Sequence, residues 1–342
     1  MKKFVLILLV ALLSFALVAC TTPPPESAPP ENAPAATEPS NDAPAAGGLI
    51  QVGFAQCKAD ESDWRIANTK SMQEALSEAN GFQLTLADAN NDAAKQVADV
   101  QGFIDREVDY IVIAAVNMDG WDTVLKNAQE AGIPVILVDR TINASEDLYT
   151  CWVGPDFKLE GVKAVDWMKT RFANSEANIV NLQGQLGSSA QVGRSSALED
   201  GVAANSNWTL LEQQTGDWST DKAKEIMASW IQQHGDKINC VYAENDNMAD
   251  GAIQALQEAG KKVGGDDGVV IISFDANRPY LQMTLEGLIN VNVECNPLHG
   301  PKVAEIINLL QSGGQPAKKE IVDELAFYYD TITQEVIDAR EY

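Results

Sequence analysis

From Leu49 onward the chain alternates short apolar runs with longer stretches whose apolar positions recur every three or four residues. The short runs predict strands over Ile50–Gln56, Gln83–Asp88, Tyr110–Ala114, Pro134–Val138, Asn178–Gln183, Leu210–Gln214, Cys240–Ala243 and Val269–Phe274, with a further run at Ile289–Val293. Helical spacing marks Trp64–Asn80, Ala93–Arg106, Trp121–Ala131, Phe157–Phe172, Ser189–Asn205, Thr220–Gln233 and Ala249–Glu258. Strands that are apolar throughout, and not alternating, lie in a sheet covered on both faces, and helices between them supply that cover. The pattern is that of an α/β protein with a parallel sheet.

The pattern also echoes itself. Ala128–Gly132 followed by Val135–Asp139 resembles Leu256–Gly260 followed by Ile271–Asp275. Each copy reads as helix, glycine stop, strand, then an Asp at the carboxyl end of the strand. Two similar doubly wound lobes, each offering an Asp at its binding edge, is the economical inference. Convergence on a common helix–strand pattern is the alternative.

The first 48 residues follow another logic. Lys2 and Lys3 precede an apolar stretch from Phe4 to Val18, shorter and more lopsided than a membrane span, so residues 1–19 read as an export signal. Its end, Leu17-Val18-Ala19-Cys20, looks like a bacterial lipobox, in which cleavage leaves a lipidated Cys20 at the new N-terminus. An ordinary secretory signal with a coincidental cysteine is the other reading. Residues 20–48 hold eight of the 14 prolines, seven alanines and no Lys or Arg. Such a segment cannot bury a core and is expected to be a tether, reaching at most roughly 85 Å as an extended polyproline helix. The expected location is extracytoplasmic, lipid-anchored to a membrane.

Composition narrows the chemistry. With 24 Lys+Arg against 49 Asp+Glu the formal charge is −25, which repels phosphate backbones and excludes nucleic acid as a partner. Two histidines, His234 and His299, and no metal-ligand spacing argue against a metal centre; no cofactor motif appears. Cys57, Cys151, Cys240 and Cys295 are widely spaced. One or two disulfides, in any of three full pairings, and four buried thiols both remain open.

In open parallel sheets ligands bind beyond the carboxyl ends of the strands. Residues following the predicted strands are Ser62, Trp64, Arg65, Asp139, Arg140, Gly184, Arg194, Trp218, Asn245, Asp246, Asp275 and Glu294. Carboxylates, amides and arginines within reach of indole faces suit a sugar, whose hydroxyls need fixed donors and acceptors and whose C–H faces stack on aromatic rings. Each residue taken singly has a structural reading. Asp139-Arg140 can be an ion pair or a cap, Asn245-Asp246 a helix cap, Arg194 a surface charge, and the two tryptophans core. Their recurrence at successive strand ends carries the inference.

Seven stretches sharpen it: Val52–Arg65, Pro134–Ile142, Asn181–Arg194, Gln214–Met227, Val241–Leu256, Ile272–Tyr280 and Asn292–Pro301. In this order they resemble the ribose/galactose class of periplasmic sugar-binding proteins, the type I substrate-binding proteins of ABC transporters, most of all the galactofuranose-binding branch. The resemblance runs from about Leu49 to near the C-terminus. It implies two lobes, residues 49–154 plus 296–321 and residues 155–295 plus 322–342, joined by three crossovers near Val153–Asp156, Glu294–Asn296 and Lys319–Val322. A monosaccharide, a furanose by this likeness, would bind by cleft closure and be delivered to a membrane ABC permease and ATPase, the binding protein itself being a monomer. The implied ligand-binding residues are Trp64 and Trp218 as stacking rings, with Arg65, Asp139, Arg140, Arg194, Asn245, Asp275 and Glu294 as polar partners and Ser62 as a weaker match. Arg65, where ribose binders carry a second aromatic, favours the galactofuranose branch. Glu244, Ala276, Trp218 and an extra residue within Cys57–Glu61 depart from the family pattern.

Two other functions compete. A sugar sensor presenting its ligand to a chemoreceptor or kinase would use the same binding chemistry. A glycoside hydrolase would use a carboxylate pair such as Asp275 and Glu294, but arginines beside them are expected to keep them ionised, which suits binding and not acid catalysis. The expectation is therefore a binding protein and not an enzyme.

Overall fold

The computed structural model describes residues 48–342; the leader, Cys20 and the Pro/Ala-rich segment lie outside the described residues. Five strands build a first sheet: β1 (Ile50–Gln56), β2 (Phe82–Asp88), β3 (Tyr110–Ile113), β4 (Val135–Val138) and β5 (Cys151–Gly154). Five more build a second: β6 (Ala177–Gln183), β7 (Trp208–Thr215), β8 (Cys240–Ala243), β9 (Val270–Asp275) and β10 (Val291–Glu294). Two late strands finish them, β11 (Lys319–Ile321) on the first and β12 (Ala326–Tyr328) on the second. The orders are β2-β1-β3-β4-β5-β11 and β7-β6-β8-β9-β10-β12, one winding used twice. Every pairing is parallel except that of β12 with β10.

The helices are α1 (Asp63–Ala75), α2 (Ala93–Asp105), α3 (Asp122–Glu130), α4 (Phe157–Arg171), α5 (Ser189–Ala204), α6 (Thr220–His234), α7 (Asp246–Glu258), α8 (Arg278–Leu285), α9 (Gly300–Gln311) and α10 (Gln334–Asp338). Those joining parallel neighbours cover the sheet faces, which is why the strands between them are apolar on both sides. Phe54, Phe103 and Trp121 are buried in the first lobe, Trp230, Tyr242 and Phe274 in the second. This is the expected α/β architecture of two similar lobes.

The internal echo is structural. Gly132 after α3 and Gly260 after α7 both take left-handed backbone, with φ of 73° and 69°, and so stop their helices. Asp139, the residue after β4, and Asp275, the last of β9, also have positive φ, 60° and 102°. Elsewhere the pattern falls short. β5, β11 and β12 are only three or four residues long, and β11 carries a charged Lys-Glu pair instead of an apolar run. α1 ends at Ala75 because Ser77 and Gly81 turn the chain, five residues before the expected Asn80.

The chain passes between the sheets three times, after β5, after β10 and between β11 and β12. The second and third passages are stapled together. Glu294 N donates to Leu325 O at 2.8 Å, Leu325 N to the Glu294 carboxylate at 2.9 Å, and Asn296 N to Glu324 Oε1 at 2.8 Å. Burial, with the Glu160 carboxyl close by, pushes Glu324 up to about 11, so it holds its proton at neutral pH.

α6 and α7 carry the loops that end in Trp218 and Asn245, and they pack backbone to backbone at Gly251. An added Cβ there would overlap Thr220 O and lie 2.9 Å from Lys224 N. Alanine in place of glycine in a helix ordinarily gains about 1 kcal/mol. Here the neighbours are main chain and cannot swing aside, so Gly251→Ala is expected to destabilise by about 1–3 kcal/mol. A lower urea midpoint with an unchanged slope checks it; a raised midpoint would refute the close packing.

Candidate functional site

The carboxyl ends of both sheets face one inter-lobe cavity. From the first lobe, Ser62 caps α1 by accepting from Arg65 N at 3.2 Å, fixing Trp64 and Arg65 in the first turn. Trp64 is 4% exposed and donates from Nε1 to Cys295 O, across the cleft, at 2.6 Å. Its ring is backed by His299 at 5.9 Å, edge on, and covered by the Arg65 guanidinium at 4.5 Å. Burial pushes His299 down to about 4, so the ring is neutral.

Four charged side chains of this lobe close on one another. Arg65 donates to Asp139 at 2.5 Å and to Glu61 at 3.2 Å, and Arg140 donates to the same Glu61 oxygen at 2.5 Å. All four are at most 4% exposed, so each charge is answered locally. The Arg140 guanidinium also lies 5.7 Å from the Trp218 ring of the other lobe.

From the second lobe, Arg194 on α5 donates to Glu160 at 2.7 Å and to the Glu244 main-chain oxygen at 2.5 Å, and lies 3.5 Å from Asp275. Burial raises the Asp275 carboxyl well above the usual range, with Arg194 pulling the other way. The expectation that a neighbouring arginine keeps it ionised is therefore corrected: desolvation is the larger influence. Asn245 is both cap and wall. It accepts from Met248 N at 2.9 Å, and it lines the cavity while donating to Trp218 O at 3.4 Å.

Trp218 has φ of 65°, and its six-membered ring lies on Gly184, where an added Cβ would overlap it. Gly184 is held in turn by Glu244, whose carboxylate accepts from Gly184 N at 2.8 Å and from Ser195 at 2.5 Å. Among the described residues, three of the eight non-glycine residues with positive φ, Asp139, Trp218 and Asp275, line this cavity, the usual placement of strained backbone at a functional site.

Ser62, Trp64, Arg65, Asp139, Arg140, Arg194, Trp218, Asn245 and Asp275 thus all line one cavity. Glu294 does not. It ends β10 with its side chain on Arg340 at 2.5 Å, on Tyr342 at 3.0 Å and on Leu325 N, sealing the second passage against the C-terminus. Asp246 is also behind the wall, accepting from Ser273, Asn277 and Asn292. Sequence reasoning missed Glu61, Phe157, Ala190 and Cys295. Phe157 opens α4 just after the first passage, a visible position, but Cys295 contributes its main-chain oxygen and leaves no mark in the sequence. The four cysteines left open above are free thiols, all buried.

The model of the periplasmic binding protein domain matches residues 52–299. The galactofuranose-binding protein YtfQ of Escherichia coli is 34% identical over 84% of this chain and 90% of its own. A Mycobacterium smegmatis protein solved with β-D-fucofuranose is 36% identical, with a TM-score of 0.77 over 82% of this chain and 92% of that one. The binding protein of the arabinose ABC transporter from Shewanella sp. ANA-3, bound to α- and β-L-arabinofuranose, is 31% identical, with a TM-score of 0.79 over 85% and 95%.

Glu244 ties this geometry to pH. Burial raises its carboxyl from 4.5 to about 7, against the donors that favour its charge. The folded protein then binds that proton more tightly than the unfolded chain. Its stabilising contribution is complete below about pH 4.5 and is lost as pH rises through about 7. Glu244→Gln is expected to flatten this part of a stability-against-pH curve measured by urea unfolding; an unchanged slope would refute the assignment.

Proposed function

The chain belongs to the periplasmic binding protein family, and from that premise we propose that it captures a monosaccharide in furanose form and delivers it to an ABC importer. The carrying observation is the convergence of Trp64, Arg65, Asp139 and Arg140 from one lobe with Trp218, Arg194, Asn245 and Asp275 from the other on one buried cavity. Indoles offer faces for ring C–H groups, and the charged and amide groups offer donors and acceptors whose burial penalises a missing hydroxyl. The relatives named above are sugar-binding proteins, that of the arabinose ABC transporter among them, and the chain is a binding protein and not an enzyme. The furanose form is supported by Arg65 beside Trp64 and by the galactofuranose, fucofuranose and arabinofuranose named for the three relatives.

The cavity measures about 30 Å³, room for about two waters and too little for a sugar. A sugar therefore enters when the lobes, residues 49–154 plus 296–321 and 155–295 plus 322–342, swing apart at the three passages and the arginine–carboxylate pairs exchange for hydroxyls. A polar latch across the cleft mouth favours closure. Asp63 accepts from Tyr280 at 2.7 Å and from Asn247 Nδ2 at 3.1 Å, while Asp63 N donates to Asn247 Oδ1 at 3.2 Å. Cys20 would anchor the protein outside the membrane by its lipid, with residues 20–48 as tether; mass spectrometry of the mature N-terminus is expected to find Cys20 acylated.

Calorimetric titration with D-galactose, D-fucose, L-arabinose and D-ribose tests the central reading. One-site binding is expected for a sugar able to adopt the furanose ring, weakened on the order of 100-fold or more in Trp64→Ala and in Asp139→Ala. No heat from any of the four would overturn the furanose assignment. Asn247→Ala, which removes the two Asn247 bonds of the latch without touching the inner cavity, is expected to weaken binding about 3–10-fold through faster dissociation. Unchanged dissociation in stopped flow would remove the latch from the mechanism.

A further inference from the structure

Outside the inner cavity lies a larger one of about 710 Å³, also walled by both lobes, which shares Glu61, Ser62 and Trp218 with it. That volume is within the range of about 300–1,000 Å³ typical of small-molecule sites. Its walls are unusual in their unanswered polar atoms. Among the described residues nine buried side-chain polar atoms lack a partner, and four belong to residues lining this cavity: Glu61 Oε2, Asn91 Oδ1, Gln185 Oε1 and Trp218 Nε1. All four atoms are shielded from solvent in this closed form, so bulk water does not serve them, and a ligand in the cavity reaches them as the side chains turn toward it. A buried polar atom without a partner costs free energy that a ligand hydroxyl can recover.

The acceptors come from both lobes, and a donor, the indole N–H, stands on the wall common to the two cavities. Both lysines of the rim are already engaged, Lys58 with Asp60 at 3.8 Å and Lys222 with Asp217 at 2.5 Å. Glu61 is answered by Arg65 and Arg140, and the remaining Asp63 and Asp221 leave the rim acidic, a field that repels anions.

We propose that the outer cavity is a second subsite, so that the ligands of this protein include a furanosyl unit carrying a neutral glycosyl or polyol substituent. The furanose occupies the inner cavity, and the substituent passes the common wall at Trp218 and meets Asn91 and Gln185. The inference rests on the reading of the inner cavity as a sugar site.

The test is calorimetry on the full-length protein with three probes: D-galactose, a galactofuranosyl disaccharide, and the same disaccharide with its second unit oxidised to a uronic acid. The disaccharide is expected to bind about 5–20-fold tighter than galactose, the worth of one or two added hydrogen bonds, and the uronate more weakly than the neutral disaccharide. The double variant Asn91→Gly, Gln185→Ala should lose the gain and bind galactose as before. Glycine suits position 91, whose φ is 61°, so the variant removes the side chain without straining the turn. A disaccharide no tighter than galactose, or a gain that survives the double variant, overturns the second subsite while galactose binding keeps the inner one. A uronate that binds as well as the neutral disaccharide overturns the neutral class. Failure of every probe removes the galactofuranose reading and the subsite with it.

Discussion

Charge taken out of water must be answered by charge or by hydrogen bonds, and that constraint organises this molecule. Arg65, Arg140, Glu61 and Asp139 are each nearly sealed from solvent, and each pairs with another of the four. Removing any one would strand its partner in a low-dielectric interior, a far larger penalty than the pair contributes. The network therefore ties the loop after β1 and the first turn of α1 to the end of β4, and it holds the Trp64 ring against Arg65. In the second lobe Arg194 plays the same part between Glu160, Asp275 and the main chain of Glu244.

The backbone at these points is strained in the same places. Asp139, Trp218 and Asp275 sit in left-handed conformations that a β-carbon disfavours, just beyond β4, just beyond β7 and at the end of β9. Such turns let a strand stop and present its side chain into the cleft without running on into it. Trp218 can lie flat there because Gly184 offers no side chain beneath it, and Gly184 keeps its place because Glu244 accepts its N–H. Strain, close approach and buried acceptor form one construction.

Legibility in the sequence followed the range of the interactions. The parallel strands and their helices were visible because apolar runs and helical spacing are local signals. Asp139 and Asp275 were visible because each closes a repeated helix–glycine–strand pattern. Asn245 was visible twice over, since the residue that caps α7 also walls the cavity. Glu294 illustrates the limit. It pairs in register with Asp275 on the adjacent strand, so a strand-end rule treats the two alike. Its partners, Arg340 and Tyr342, lie 46 and 48 residues further on, and they draw its side chain away from the cleft. Cys295 escaped notice for a different reason, since it acts through a main-chain oxygen that every residue possesses. Glu244, marked only as a departure from the family pattern, proves to be the support of the Gly184 turn.

By itself the sequence determined the α/β class, the doubled winding, the acidic net charge, and a list of polar and aromatic groups at strand ends. These are properties of hydrophobic period, composition and local turn chemistry, which act over a few residues at a time. Tertiary structure decided which of those groups share a cavity, which carboxyls keep a proton, that the four cysteines stay free, and that a latch from Asp63 to Asn247 and Tyr280 spans the cleft. Those outcomes depend on distances and desolvation between residues up to 231 apart in the chain, as for Trp64 and Cys295, and only the folded packing of the two lobes sets them.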